Sequence, residues 1–126
     1  HDTALDWGRV AWQLGDYDRA LAAFDLAAAT PEGGREVWAQ LNRGRVLMAL
    51  ERWPEALGAF EAAIMIFEAN DPGVGLPSPG YVEAFFRLGE IYELQGDLGQ
   101  ARAFYEAARS SDPNYRPAIA ALERLP

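Results

Sequence analysis

Side chains that could carry out catalysis are scarce in this chain. It contains neither Cys nor Lys, and its single His is His1, at the N-terminus. The three Ser are Ser78, Ser110 and Ser111. Nucleophilic catalysis requires such a group beside a base, and a phosphate-binding loop of the GxxxxGK type requires a Lys. The inventory therefore predicts that the protein is not an enzyme and uses no cofactor.

Carboxylates are the remaining groups that could do chemistry. Glu83, Glu90 and Glu93 share one predicted helix, and Asp2 and Asp6 share another. Paired carboxylates can act as acid and base or hold a divalent cation. In an acidic helical protein they far more often belong to a solvated face, so we expect neither catalysis nor a metal site.

The chemistry that the sequence favours is non-covalent binding by Arg and aromatic side chains. Guanidinium groups form paired hydrogen bonds with carboxylates, and large aromatic side chains anchor interfaces. Arg9, Arg45 and Arg87 recur on successive predicted helices, with Trp and Phe side chains near them. The predicted peptide-binding residues are Arg9, Trp12, Trp38, Asn42, Arg45, Phe86 and Arg87.

These residues also have a purely structural interpretation. On a helix, an Arg pairs readily with a carboxylate three or four residues away. The available carboxylates are Asp2 and Asp6 for Arg9, and Glu83 and Glu90 for Arg87. The Trp side chains could be buried by neighbouring helices. For a single Arg the local ion pair is the more common situation, whereas for the surface as a whole we favour binding.

Charge and composition narrow the range of partners. The formal net charge is -8, and all eleven basic residues are Arg. An acidic surface repels phosphate backbones and anionic lipids, and no apolar run approaches the about 20 residues that span a bilayer. We therefore expect a protein or peptide partner, no nucleic acid and no membrane insertion. The Lys-free, Arg- and Ala-rich composition favours a bacterial source.

The expected location is the cytoplasm, because no secretory signal is visible. The chain begins with His1 and so looks trimmed, which leaves a periplasmic or envelope-associated setting as the alternative. The absence of Cys is compatible with both.

One pattern occurs three times and organises the chain, with identical spacings in each copy. The copies are Gly8…Gly15-Asp16-Tyr17…Ala20…Phe24…Ala27, Gly44…Glu51-Arg52-Trp53…Ala56…Phe60…Ala63 and Gly89…Gly96-Asp97-Leu98…Ala101…Tyr105…Ala108. Apolar residues at helical spacing lie before and after each turn, so each copy predicts a pair of helices. A repeat of this kind indicates stacked helix pairs.

The residues at the breaks predict how the helices end. Gly15 and Gly96 suit a left-handed helix C-terminus, and Asp16 or Asp18 could cap the helix that follows. Glu51 replaces the turn Gly, so that turn is either a left-handed non-Gly residue or a different geometry. Three Pro and three Gly at 70–80 predict a loop.

The third copy carries the closest match to a known repeat. It reads Phe85-x2-Leu88-Gly89-x2-Tyr92, then Gly96-Asp97, Ala101, Tyr105, Ala108 and Asp112-Pro113. This pattern resembles the tetratricopeptide repeat, a helix–turn–helix unit of about 34 residues. The first copy departs from the pattern with Trp7 in place of Leu, and the second with Arg43 at a usually apolar position. The resemblance covers roughly residues 2–113.

The resemblance implies an all-α fold: a right-handed α-solenoid of antiparallel helix pairs, with seven helices in a single domain spanning 1–126. Its expected parts are repeat one (2–31), repeat two (36–68), a Pro/Gly loop (70–80), repeat three (81–113) and a capping helix (116–125). Gly8, Gly44 and Gly89 are expected to allow close approach within each pair, against Ala20, Ala56 and Ala101. The aromatic positions are expected to fill the space between successive pairs.

Some members of this family hold a C-terminal carboxylate with a clamp of Lys, Asn and Arg side chains. Asn42 and Arg87 match two of the clamp positions. Leu5 and Glu83 stand where Lys would be, and Arg9 stands where Asn would be. A clamp without either Lys and with an added Glu is unfavourable for a carboxylate, so we do not expect this mode of binding.

The resemblance favours a non-catalytic protein–protein interaction module that binds a peptide or protein segment in a concave groove lined by the first helices. The alternative is a scaffold or self-association module within a larger bacterial protein. Short arrays with exposed aromatic residues can associate through apolar patches. The expected oligomeric state is therefore a monomer or a weak homodimer.

Overall fold

The computed structural model describes residues 3–29, 36–70 and 79–126 of the chain. Within these residues the chain forms seven α-helices and no strand, as the sequence predicts. The helices are α1 (Ala4–Gln13), α2 (Tyr17–Ala29), α3 (Glu36–Ala49), α4 (Trp53–Asn70), α5 (Pro79–Leu94), α6 (Leu98–Ser111) and α7 (Arg116–Arg124). They fall into two compact units, His1–Ile66 and Phe67–Pro126, so that α4 begins in the first and ends in the second.

The two helices of each pair meet at a glycine, which confirms the predicted close approach. A Cβ atom on that glycine would lie far inside contact distance of an aromatic ring on the second helix. The shortest distances to a ring carbon are 2.4 Å for Gly8 and Phe24, 2.7 Å for Gly44 and Phe60, and 2.6 Å for Gly89 and Tyr105. The sequence predicts that these aromatic rings fill the space between successive pairs, whereas in the structure each ring covers the glycine of its own pair. The missing side chain leaves the room that the ring fills.

The turns within the pairs use the left-handed backbone conformation. The φ angle is +75° at Gly15, +58° at Glu51 and +83° at Gly96. Of the two alternatives for Glu51, the left-handed non-Gly residue is therefore the one adopted. For a residue with a Cβ this conformation costs roughly 1–2 kcal/mol. In two of the pairs an Asp caps the second helix by accepting a backbone hydrogen bond with its carboxylate. Asp16 accepts from the N–H of Arg19, and Asp97 accepts from the N–H of Gln100.

Helices α4 and α5 extend into the loop predicted at 70–80. Helix α4 continues through Asn70 and α5 begins at Pro79, so the loop prediction is wrong at residues 70, 79 and 80. Proline is tolerated at the first helical position because its missing N–H would have no helical partner there. The rest of the predicted loop, 71–78, lies outside the described residues.

In the second unit, α7 packs against α6 and provides the predicted final helix. Its buried residue Ala121 and the following Leu125 share an apolar cluster with Ala101 and Tyr105 of α6. Proline at the start of α7 is again in the first turn, where it needs no hydrogen-bond partner. Burial of small residues at this contact lets the two helices approach closely.

A polar network joins α5, α6 and α7 beside that cluster. The hydroxyl of Tyr105, whose side chain is buried, donates to Glu93 Oε1 at 2.7 Å. Both terminal nitrogens of Arg124 donate to the same carboxylate, and the Nη2–Oε1 distance is 3.0 Å. The Glu93 carboxylate therefore provides the hydrogen-bond partner of the buried Tyr105 hydroxyl, and its ion pair with Arg124 connects α7 to α5.

Acid should weaken this network. Hydrogen bonds from Arg124 and Tyr105 lower the pKa of Glu93 below its ordinary value. A carboxyl group whose pKa is depressed in the folded state stabilises the fold above its unfolded-state pKa, and this contribution is lost as the pH falls through the folded-state pKa. We expect Glu93→Gln to be less stable than wild type at pH 7 in urea denaturation, with the difference shrinking below about pH 4. A difference that stays constant down to about pH 3 would contradict this assignment.

Candidate peptide-binding surface

The predicted residues on α1 are accessible in the first unit. Trp12 is 37% exposed, and its ring centroid lies 5.2 Å from that of Tyr17, which starts α2. Arg9 is exposed. The Asp6 carboxylate accepts hydrogen bonds from the backbone N–H and the hydroxyl of Thr3, so it helps to cap α1. Helix α1 therefore presents one cation and one aromatic platform on the side predicted for binding.

The predicted residues on α3 divide into exposed and buried side chains. Trp38 is 37% exposed, whereas Asn42 is buried, with 8% of its surface exposed. Arg45 is half-buried, and its Nη1 donates to Asn42 Oδ1 at 2.7 Å. Buried amides require hydrogen-bond partners. Asn42 therefore acts on this surface through Arg45, whose guanidinium it orients.

Helices α1 and α3 both pack against α2 within the first unit. We use the name α1/α3 face for Arg9, Trp12, Trp38 and Arg45. Leu5, one turn before Arg9, is buried, so this side of α1 is partly covered inside the unit. The α1/α3 face comprises two partly exposed indole rings and two guanidinium groups, carried by helices that both pack on α2.

The other two predicted residues lie in the second unit, and their contacts match the structural interpretation. Arg87 Nη1 lies 2.7 Å from Glu90 Oε1, and Arg87 Nε lies 3.4 Å from Glu83 Oε2. Burial lowers the pKa of Arg87, but its ion pairs with Glu90 and Glu83 leave that pKa above its ordinary value. The guanidinium carbon also lies 5.6 Å from the centroid of the Phe86 ring. Arg87 is thus neutralised by its own helix.

Phe86 is engaged in the packing of the second unit. Its ring centroid lies 5.5 Å from that of Tyr105 and 5.7 Å from that of Tyr115. These contacts place Phe86 at the edge of the apolar cluster between α6 and α7. Its half-buried ring therefore contributes to the core as well as to the surface.

Sequence reasoning misses a second surface on α1. Trp7, Val10 and Leu14 are 54%, 55% and 78% exposed. Their spacing of three and four residues places them in one line along α1 and its C-cap residue, Leu14. The apolar spacing of these residues is visible in the sequence and predicts a helix. It does not show that this side of the helix is exposed. The name α1 stripe is used below for these three residues.

The described residues offer neither a metal site nor a membrane span. Among them, no group of three or more His, Asp or Glu side chains is placed to hold a metal ion. No helix in residues 3–29, 36–70 and 79–126 is both long and apolar enough to cross a bilayer.

Helix pairs joined by left-handed turns, a glycine under an aromatic ring in every pair, and a helix packed on the last pair define a helical repeat protein. The particular repeat is given by the sequence itself: the model of the tetratricopeptide repeat matches residues 5–75 and 41–116. The chain belongs to the tetratricopeptide repeat family, whose members act in general as non-catalytic protein–protein interaction modules.

Known proteins agree with this assignment. The chain is 29% identical over 98 residues to Protein KINESIN LIGHT CHAIN-RELATED 1 of Arabidopsis thaliana, but it spans only 16% of that protein's length. The crystal structure of MamA superposes with a TM-score of 0.78 at 18% identity over 94% of this chain and 62% of MamA. The second TPR domain of human RPAP3, solved in complex with the HSP70 peptide SGPTIEEVD, gives a TM-score of 0.79 at 21% identity over 98% of this chain and 92% of that domain. At these identities the solved structures establish the fold.

Proposed function

We propose that this chain is a non-catalytic interaction module that binds a peptide segment on the α1/α3 face. The observation that carries the proposal is the pair of Trp side chains, Trp12 and Trp38, each 37% exposed on a helix that also carries an Arg of the face. Trp and Arg are among the residues most enriched at the positions that dominate binding energy at interfaces. A surface that holds them partly exposed, in fixed positions, loses little conformational entropy when a partner binds.

The side chains of the face define the chemistry of the ligand. The indole rings favour an apolar or aromatic anchor, while Arg9 and Arg45 favour a carboxylate. Arg45 is held by Asn42, so its guanidinium is pre-positioned and fewer rotamers are lost on binding. We therefore propose a peptide that carries an apolar anchor next to Asp or Glu.

A chaperone-tail peptide such as the one bound by the RPAP3 domain is a poor fit to this chain. Leu5, at one position where the clamp has Lys, is only 7% exposed. Glu83, at the other, sits 3.4 Å from the guanidinium of Arg87, the residue that would have contacted the carboxylate. The second unit thus presents a neutralised Arg where a clamp needs free cations.

Selection from a random peptide library displayed on phage would test the proposal. Selected peptides would be synthesised with a fluorescent label, and their affinities measured by fluorescence anisotropy against wild type, Trp12→Ala and Trp38→Ala. We expect each substitution to weaken binding by about tenfold or more. Arg45→Glu should have an equal or larger effect on peptides that contain carboxylates.

Leu94→Ala is the matched control, because Leu94 is 65% exposed and lies at the end of α5 in the second unit. It should leave the affinity unchanged, and circular dichroism should show the same helix content in every variant. The labelled peptide SGPTIEEVD should bind more weakly than the selected peptides. Equal affinity of wild type and both Trp variants for every selected peptide would overturn the α1/α3 face as the binding site.

A further inference from the structure

Tyr17, at the start of α2, forms an aromatic pair with Trp12, although the residues predicted from the sequence for binding do not include it. The two ring centroids lie 5.2 Å apart, and the ring planes are inclined at 45°. Trp12 is 37% exposed and Tyr17 is 36% exposed. Because both rings are partly exposed and contact each other, they present one continuous aromatic surface. We use the name α1–α2 platform for these two rings.

The turn between α1 and α2 holds the platform in place. The N–H of Gly15 donates to the carbonyl of Trp12 at 3.0 Å, and the N–H of Asp16 donates to the carbonyl of Ala11 at 2.9 Å. Gly15 adopts the left-handed φ of +75° that such a helix end requires. The platform is therefore pre-positioned by the backbone, which reduces the entropy lost when a ligand binds.

The other repeats form the same turn without an aromatic pair. Counted from the first Gly of each copy, the corresponding residues are Met48 and Trp53 in the second copy and Glu93 and Leu98 in the third. Both of those turns adopt the left-handed conformation as well. The fold thus does not require two rings at these positions, and partly exposed aromatic residues that folding does not require favour a role in binding.

The polar atoms of this surface are hydrogen-bond donors. The indole N–H of Trp12 can only donate, as can the guanidinium of Arg9, which lies one turn earlier on α1 and is exposed, and the Tyr17 hydroxyl can also donate. Within residues 3–29, 36–70 and 79–126, no group accepts a hydrogen bond from any of these three donors. A matching ligand therefore offers acceptors next to an apolar surface.

Proline in an extended segment has this combination of properties. Its ring is apolar, it has no N–H donor, and its side chain loses no rotamer entropy when the ring is covered. In a polyproline II helix no carbonyl takes part in an internal hydrogen bond, so every carbonyl is available as an acceptor. An α-helical peptide, in contrast, uses its carbonyls internally. Aromatic-lined surfaces are a recurring mode of binding for polyproline II segments.

We propose that the ligand of this chain is a proline-containing segment in the polyproline II conformation, whose rings pack on the α1–α2 platform. The Tyr17 hydroxyl and the Trp12 indole donate to carbonyls of the segment, and Arg9 pairs with an Asp or Glu that it carries. The inference rests on the proposed peptide-binding function. It adds Tyr17 to the binding residues and specifies the class and conformation of the ligand.

Fluorescence anisotropy of the protein with labelled synthetic peptides tests the proposal. The probe is an oligoproline that ends in Glu. One comparison peptide has Ala in place of every Pro, which favours an α-helix, and the other is the oligoproline ending in Lys. We expect the probe to bind about tenfold or more tightly than either comparison peptide.

Two variants of Tyr17 separate the ring from the hydroxyl. Leu already occupies this position in the third copy, as Leu98, so Tyr17→Leu should fold, which circular dichroism checks. We expect Tyr17→Leu to weaken binding of the probe by about tenfold or more. Tyr17→Phe should weaken it by about two- to tenfold, because only a hydrogen bond is lost. Tyr92→Phe, which removes a hydroxyl from the second unit, should bind the probe as wild type does.

Three results would overturn the proposal. Equal binding of the proline and alanine peptides would exclude the polyproline II ligand, and equal binding of the Glu and Lys peptides would exclude the carboxylate at Arg9. Wild-type affinity in both Tyr17 variants would exclude the platform as the contact.

Failure of this inference is distinguishable from failure of the proposed function. If peptides selected from the library depend on Trp12 and Trp38 but the oligoproline probe does not bind, the α1/α3 face remains the binding site and the ligand class is wrong. If no selected peptide depends on either Trp, the proposed function fails as well.

Discussion

Replacing Gly44 with Ala should lower the free energy of unfolding by about 1–3 kcal/mol, although Ala is the better helix former. The added Cβ atom is the only chemical change, and it would lie 2.7 Å from a carbon of the Phe60 ring. Phe60 is fully buried, so its ring cannot swing out to solvent. Either α3 and α4 must separate or the ring must leave its preferred rotamer.

Gly58 provides the matched control in the neighbouring helix. A Cβ built on Gly58 meets nothing within 4 Å, so Gly58→Ala should stabilise the protein by about 0.5–1 kcal/mol through helix propensity. The same chemical change is thus expected to have opposite signs at two helical glycines. Urea denaturation followed by circular dichroism would measure both.

A double variant separates the packing clash from any other cause. If the clash with the ring is the reason, Gly44→Ala combined with Phe60→Leu should lose less stability than the sum of the two single changes, because the smaller side chain makes room for the Cβ. Additive effects, or a stabilising Gly44→Ala, would contradict the proposed contact between glycine and ring.

The repeat explains why the fold could be predicted so fully from the sequence. Each copy carries its own turn and its own glycine–aromatic pair, so three independent signals support the same local structure. Glu51 illustrates the benefit: the sequence alone leaves its conformation open, and the structure gives it the left-handed φ of +58° that Gly15 and Gly96 adopt, at +75° and +83°, in the corresponding positions. The packed helices on either side of that turn leave it little choice of geometry.

The helix ends next to the predicted loop are harder to predict, because local signals there conflict. Pro79 breaks a helix when it is interior but starts one when it is at the first position. Whether Pro79 breaks a helix or starts one depends on the contacts of the following turn, which the sequence does not give. Helix α4 likewise continues to Asn70, past the last strong apolar position of the repeat.

The candidate surface is predicted less completely, because exposure depends on neighbours that the local pattern does not contain. Asn42 has the spacing of a surface residue but is buried under the guanidinium that it orients. Arg87 has the same residue type as Arg9, yet two Glu on its own helix neutralise it. The α1 stripe has core-like spacing and is exposed. The exposure of the α1 stripe depends on which helix face has a neighbour, whereas the Arg87 ion pairs lie within one helix and are among the alternatives that the sequence offers.

Replacing Ala101 with Leu should destabilise the second unit by about 1–3 kcal/mol. Ala101 is fully buried and shares a cluster with Tyr105, Ala121 and Leu125. A Leu side chain there would need room that α7 and the Tyr105 ring already occupy. Because protein interiors are close-packed, the expected response is a displacement of α7, which would also lengthen the hydrogen bonds around Glu93.

Ala103→Leu is the control on the same helix, because Ala103 is exposed and both changes add the same atoms. Surface changes of this kind usually alter stability by less than about 0.5 kcal/mol. Hydrogen exchange should show faster exchange of the α7 amides in Ala101→Leu and no change in Ala103→Leu. If both variants melt at the wild-type temperature, the position that faces the helix contact has been misassigned. Destabilisation confined to Ala101→Leu, with α7 exchanging first, would establish that the small residue at this position sets the distance between α6 and α7.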